Sequence, residues 1–291
     1  MRVLVTGAAG FVASHLIPAL AADGHDVYAL DRDKARVALL PATPVEHDLA
    51  QRSAAGALPD VDAVVHLAQA NVRLPDEAPL LQAVNTGSTV DMLDHAHRCG
   101  AERFLYASTG TVYGFGERPF VETDPPASRD LYAVSKLSGE LFVEACSSFF
   151  DTFVARLFAP YGPGQHARMI PRLIERVRTG EPVTLNEGGR PHMNPMYVGD
   201  VVRTFAAALE LNGNHTVNVA GDEVVGIGDL ARLIGEAVGR QPVLEEGGGG
   251  APGDVVADTT RVHELLDLRP LVPLSEGLRV TAEAGAVTSS S

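Results

Sequence analysis

Short, continuous apolar runs separated by stretches with helical spacing dominate the first half of the chain. Residues 2–6 read as a buried strand with Val-Leu-Val at its centre, and GAAGFVASHLIPALAADGH reads as a Gly-rich turn feeding an apolar-faced helix that stops near Gly24. Further strands are predicted at 26–30, weakly at 45–47, and at 62–67, 103–107 and 152–157, with helices at about 79–98 and 129–148. Each strand is apolar throughout rather than alternating, as it must be when both faces of a sheet are covered. Strands alternating with helices then predict a doubly wound α/β fold with a parallel sheet over residues 1–157.

Beyond residue 157 the strand–helix rhythm stops. APYGPGQH is followed by helices near 169–179, 200–211 and 228–238 and a Gly/Pro-rich stretch at 186–195. Residues 158–291 are therefore expected to form a smaller C-terminal region that holds substrate, although 216–219 could return to the main sheet. GGGGAPG at 247–253 reads as a mobile loop, or as a tight ligand-facing turn, and the terminal AGAVTSSS as frayed.

Composition narrows the classes. With 45% apolar residues in 291 and only 29 Gly and 19 Pro, the chain has the make-up of a folded globule. A net charge of −14 repels phosphate backbones and anionic lipid, so no nucleic-acid or membrane partner is expected. No apolar run approaches the ~20 residues of a membrane span, and MRVLVTG enters a strand without a signal-peptide pattern. Cys99 and Cys146 lie far apart with no ligand spacing around them, so neither a metal nor a disulfide is expected. A cytoplasmic location follows as the expectation.

Gly7, Gly10 and Ala13 fall between the first strand and the first helix. Glycine there lets the backbone approach a pyrophosphate, which the N–H groups of the helix N-terminus then bind. Asp31 ends the second strand about twenty residues on, where a carboxylate accepts the adenosine ribose hydroxyls and opposes a 2′-phosphate. NAD is thus favoured over NADP, with Arg32 beside it as a contrary guanidinium. Asp48 reads equally as a contact to the adenine amino group or as a helix cap. His66, at the end of the fourth strand, reads as a packed histidine rather than a catalytic one.

Tyr132 and Lys136 in YAVSK are four apart, which on a helix puts them on one face. An ammonium there favours the phenolate, bringing Tyr132 toward use as a general acid and base. Ser108 and Thr109 end the fifth strand and offer a hydroxyl to the same substrate oxygen.

With these residues in place, the chain resembles the extended short-chain dehydrogenase/reductase family, the NAD-dependent epimerase/dehydratase group. The resemblance extends through VTGAAGFVAS, Asp31, Asp48, VVHLA, NTGST, STGTVYG, YAVSK, RLFAPYGPGQ, MYVGD and VNVAGDE, nearly the whole length. It implies a Rossmann fold and a catalytic set of Thr109, Tyr132 and Lys136. It also implies NAD contacts from Gly7, Gly10, Phe11, Asp31, Asp48, Leu67 and Lys136, with Asn85 near the nicotinamide. A homodimer through the 79–98 and 129–148 helices is implied as well. Leu137, Leu141 and Phe142 could supply that face or belong to the monomer core.

Two departures shape the functional expectation. Gly110 and Thr111 stand where the dehydratases and decarboxylases of the family have carboxylates, which disfavours elimination of water. Ala159, Met193 and Ala251 stand where sugar-nucleotide members usually have an Asn and two Arg that hold the diphosphate. Arg168, Arg190 and His192 are the candidate replacements, Arg172 being a further one, and Arg168, Arg172 and Arg176 read equally as a solvated helix face. The expectation is a nucleotide-sugar epimerase working by transient hydride transfer to NAD. The alternative is an NAD-dependent dehydrogenase or ketoreductase on a non-nucleotide hydroxy or keto substrate.

Overall fold

A computed structural model describes residues 1–51, 58–70, 77–250 and 253–288. Seven strands form the main sheet: β1 (Arg2–Thr6), β2 (Asp26–Asp31), β3 (Thr43–Glu46), β4 (Ala63–His66), β5 (Arg103–Thr109), β6 (Asp151–Leu157) and β7 (Asn214–Val219). Their order is β7-β6-β5-β4-β1-β2-β3, and β1–β2, β1–β4, β2–β3 and β4–β5 pair in parallel. Val3, Leu4, Val5, Val64 and Val65 are all fully buried, as expected for strands covered on both faces. The doubly wound α/β class read from the apolar runs is the one observed, with the third strand starting two residues earlier than expected.

Because β1 lies between β2 and β4, the chain leaves it in opposite directions on its two sides. That reversal opens a crevice at the carboxyl ends of β1 and β4. Helix α1 (Phe11–Ala22) follows β1. The helix expected near 79–98 is built from Ala78–Leu81, a π-helical segment Gln82–Gly87 and α2 (Ser88–Arg98). Helix α3 (Leu131–Ala145) is shorter than expected, because the Asp130 carboxylate accepts the Ala133 N–H at 3.1 Å and caps it.

The chain divides into two compact units, Met1–Val112 with Pro126–Arg156 and Val202–Val217, and Tyr113–Pro125 with Leu157–Val201 and Asn218–Ser291. The first encloses a core of Leu4, Leu30, Val64, Met92, Phe104 and Val154. The second is held by Ile170, Leu173, Val177, Leu230, Ile234 and Leu278. Its helices include Met169–Thr179 and Ile227–Val238, close to expectation, and Leu274–Thr288. This last helix runs into the AGAVTSSS segment as far as Thr288, and Leu274, Leu278 and Ala282 before that segment repeat every four residues and are buried. The helix expected from 200 begins at Val198. Part of the Gly run, Ala251 and Pro252, and the terminal 289–291 lie outside the described residues. Among the described residues no helix is long and apolar enough to cross a membrane.

Candidate active site

The turn after β1 is set by space. Gly7 adopts φ +67°, and a Cβ on it would lie 2.8 Å from the Ala68 Cα; one on Gly10 would lie 2.8 Å from the Gly7 carbonyl oxygen. Gly10 donates its N–H to that carbonyl at 2.8 Å and occupies the N-cap of α1. It has no capping side chain, and no acid stands in the first helical turn. The start of α1 therefore keeps unspent N–H donors and a positive dipole end, the arrangement that suits a pyrophosphate. The Asp31 carboxylate accepts the Ala9 N–H at 3.1 Å and the Asp33 N–H at 3.0 Å. Those two bonds orient it while leaving lone pairs for ribose hydroxyls. The residues present thus fit a dinucleotide.

The neighbouring cofactor candidates vary in commitment. Arg32 is exposed, Leu67 is half-buried beside Gly7, and Phe11 packs edge-on against His15 at 5.4 Å. Asp48 accepts the Ala50 N–H at 3.0 Å and caps a turn. The helix expected to follow it falls on 52–57, outside the described residues. His66 is fully buried between Thr6 (2.7 Å) and Thr89 (3.2 Å) and stacks on Tyr106. Burial pulls its imidazole down to about 3, so it is a neutral, packed histidine.

Tyr132 and Lys136 lie on α3 as the four-residue spacing requires. The Tyr132 hydroxyl donates to Gln69 Oε1 at 2.5 Å, at the end of the crevice next to Ala68. Lys136 is 1% exposed, and its Nζ lies 4.2 Å from the centroid of the Tyr106 ring. Burial draws its ammonium down to about 7, and Glu140, one turn further on, pulls in the opposite direction. Glu140 is itself buried in a fork with Arg156, Nη2 to Oε2 2.7 Å, and accepts from the Ser108 hydroxyl. Of the two hydroxyls ending β5, Ser108 is thereby committed to the interior. Thr109 Oγ1 pairs locally, accepting the Thr111 N–H at 3.2 Å and lying 3.0 Å from the Thr111 hydroxyl.

Asn85 sits inside the π-helical segment and is fully buried. Its Oδ1 accepts the Ala70 N–H at 2.7 Å and its Nδ2 donates to Ser135 Oγ at 2.9 Å. It is tied to the β4 loop and to α3 at once. Gln69, Ser135 and the Glu140–Arg156 pair were not anticipated. Glu140 had a visible signal in its spacing of four from Lys136, and Gln69 had none.

The substrate candidates Arg168, Arg190 and His192 lie in the second unit. Arg190 and His192 converge on Asp254: Arg190 Nη2 is 3.7 Å from its carboxylate, and the His192 backbone N–H donates to it at 2.7 Å. Arg190 is also paired with Glu117 at 2.9 Å. Arg190 is thus engaged by two carboxylates, Glu117 and Asp254. Arg168 stands at the N-cap position of Met169–Thr179 without a side-chain cap bond, and Arg176 pairs with Glu181 at 3.9 Å across an exposed surface. Met193 is 7% exposed and exchanges backbone hydrogen bonds with Val225. Ala159 takes φ +40°, and Ala251 lies outside the described residues.

A family model described as NAD dependent epimerase/dehydratase family matches residues 3–220. The chain is 30% identical over 311 aligned positions to the uncharacterized UDP-glucose epimerase YtcB of Bacillus subtilis (strain 168), covering 96% of each chain. It is equally 30% identical to a dTDP-4-dehydro-6-deoxy-D-allose reductase of Streptomyces bikiniensis, covering 96% of this chain and 94% of that one. Among solved structures, UDP-glucuronic acid 4-epimerase from Bacillus cereus in complex with UDP-glucuronic acid and NAD superposes with a TM-score of 0.88. The identity there is 26%, and the match covers 99% of this chain and 100% of the other. The glycine turn, Asp31 and the Tyr132/Lys136 helix sit in the part of the chain that the family model spans, and on that match the chain belongs to the NAD dependent epimerase/dehydratase family.

Proposed function

We propose that this chain is an NAD-dependent epimerase of nucleotide sugars, with Tyr132 as the acid and base. The observation that carries the reading is the Tyr132 hydroxyl at the carboxyl edge of β4, one residue from the backbone on which Gly7 closes. An acid–base group is thereby set beside a dinucleotide turn within one unit. Bound NAD supplies a hydride acceptor and then a hydride donor, so that a carbinol centre is oxidised and reduced again from the other face. Gly7, Gly10 and Phe11 form the turn that would hold its phosphates, and Asp31 would take the adenosine ribose. Asp48, Leu67 and Asn85 would flank it, and Lys136 would bond the nicotinamide ribose. Tyr132 takes the proton of the substrate hydroxyl and returns it, while Thr109 orients that oxygen. The relatives reported above, which include a complex with UDP-glucuronic acid and NAD, support this choice of cofactor and substrate class.

The first unit then serves as the cofactor-binding region, and the second, with Arg168, Arg190 and His192, as the substrate region. The reading extends to a cytoplasmic homodimer. Leu131, Val134, Leu141 and Phe142 on α3 are 40–59% exposed, an apolar face of the kind that a second copy covers.

Tyr132→Phe should retain fold and NAD binding and lower UDP-glucose epimerisation at least about a hundredfold. Activity near that of the unaltered chain would remove Tyr132 from the mechanism. The second reading, an oxidoreductase that releases its cofactor, is favoured by one observation: Arg190 already spends its charge on Glu117 and Asp254. Net consumption of NADH by a keto substrate, with no nucleoside diphosphate binding at millimolar concentration, would select it.

A further inference from the structure

Gln69 stands in the loop after β4, and its side chain meets the one atom on which the proposed chemistry turns. Its neighbours are fixed on both sides. Ala68 donates its N–H to Thr6 Oγ1 at 3.3 Å and is packed against Gly7 so closely that a Cβ there could not fit. Ala70 is held through both backbone groups by Asn85, N–H to Oδ1 at 2.7 Å and Nδ2–H to its carbonyl at 3.3 Å. From Asn85 the chain of bonds continues to Ser135 Oγ at 2.9 Å, and the Ser135 hydroxyl donates to the Tyr132 carbonyl at 2.7 Å. The Tyr132 hydroxyl then donates back to Gln69 Oε1 at 2.5 Å. The circuit closes: the same two residues are tied once through backbone and once through side chain.

A carboxamide has an acceptor and a donor end of nearly the same size. Its oxygen accepts from a phenol; turned over, its N–H₂ donates to a phenolate. We infer that Gln69 is a positioning residue for Tyr132, holding the tyrosine oxygen in place in both of its protonation states. The inference rests on the acid–base reading of Tyr132. In the oxidative half the substrate hydroxyl's proton would pass to the tyrosine oxygen while the hydride leaves the carbinol carbon for bound NAD. In the return half both go back, and Gln69 gains or loses no proton. Ionisable groups about Tyr132 include Asp130 at the N-cap of its helix, Lys136 and Glu140 further along it, and Tyr106 of β5. None is altered in a Gln69 variant, and Gln69 is exposed, so its replacement does not open the core.

The test is an ultraviolet difference titration of the NAD-loaded protein, with Tyr132→Phe as the blank that isolates the Tyr132 phenolate among the tyrosines. In Gln69→Glu the carboxylate can only accept and its charge opposes a phenolate, so the Tyr132 midpoint should rise by at least about one pH unit. In Gln69→Leu both bonds are lost, and kcat on UDP-glucose should fall about tenfold with KM nearly unchanged, as for a displaced reacting atom. An unmoved midpoint in Gln69→Glu overturns the inference, as does a kcat in Gln69→Leu equal to that of the unaltered chain. The titration decides the matter whether or not UDP-glucose is turned over. If Tyr132→Phe is inactive while both Gln69 variants behave normally, this inference alone falls. If Tyr132→Phe stays active, the acid–base reading falls with it.

Discussion

Lys136→Met should make the protein more stable and useless at once. The Lys136 ammonium is buried to 1% exposure, and burial lowers it from an ordinary 10.5 to about 7. At about 1.4 kcal/mol for each tenfold change in proton affinity, that fall caps the cost of burying the amine at roughly 5 kcal/mol. Methionine keeps the length and packing of the stem but forgoes the contact with the Tyr106 ring, about 1–2 kcal/mol; the attraction to Glu140 is already contained in the fall to about 7. A net gain of about 1–3 kcal/mol at pH 7 remains, in line with exchanges of buried ionic groups for apolar ones. The sign over pH follows from proton uptake. Between 7 and 10.5 the unfolded chain holds a proton on this lysine that the folded chain has given up, so the unaltered protein gains stability as pH rises through that window. The variant lacks the group, so its advantage should be full near pH 7 and shrink toward 10.5. Urea unfolding of the NAD-free proteins across that range, with equal m-values, measures the difference. A variant less stable than the parent at pH 7, or an advantage that grows with pH, would refute the account. Loss of turnover in the same variant would mark the lysine as kept for chemistry at the expense of stability.

The imidazole of His66, held at about 3 against an ordinary 6.5, contributes stability above 6.5 that is lost as pH falls toward 3. His66→Gln should flatten that acid slope, by up to about 1.4 kcal/mol per pH unit, in urea midpoints taken across the window. Asp31→Ala should weaken NAD binding while sparing NADP, narrowing a preference that calorimetry would find for NAD in the parent; tighter NADP binding by the parent would mean that Arg32 governs the site. Ala159, at φ +40°, occupies a region that costs an alanine about 1–2 kcal/mol and that asparagine visits readily. Ala159→Asn should raise the unfolding free energy by about 1 kcal/mol, and an unchanged Tm would show that the strain is absorbed elsewhere.

The sheet, the glycine turn and the Tyr132/Lys136 helix were legible because each is written in residues close together in the chain. Apolar runs of four to six residues, glycines three apart and a spacing of four are local facts with local physics. The C-terminal helix was equally local, yet its Ala, Gly and Ser residues drew attention from Leu274, Leu278 and Ala282, whose spacing marks a buried face. The π-helical segment had no signal of its own. QAVNTG contains no break, and the segment takes that form where Asn85 turns inward to reach Ala70 and Ser135, 15 and 50 residues away.

Partners are where sequence reading stops, and Arg190 is the clearest instance. Its charge and its place in a Gly/Pro-rich stretch near Met193 recommended it as a diphosphate ligand. Glu117 and Asp254, 73 and 64 positions away, pair with it. A diphosphate could recruit that guanidinium only by displacing two carboxylates, and leaving them next to an added dianion is itself unfavourable. The cation count of a segment therefore says little about anion affinity until its acids are placed. The same holds for Gln69 and Tyr132, 63 residues apart: neither residue type suggests the other, and only the fold of β4 against α3 makes them one group.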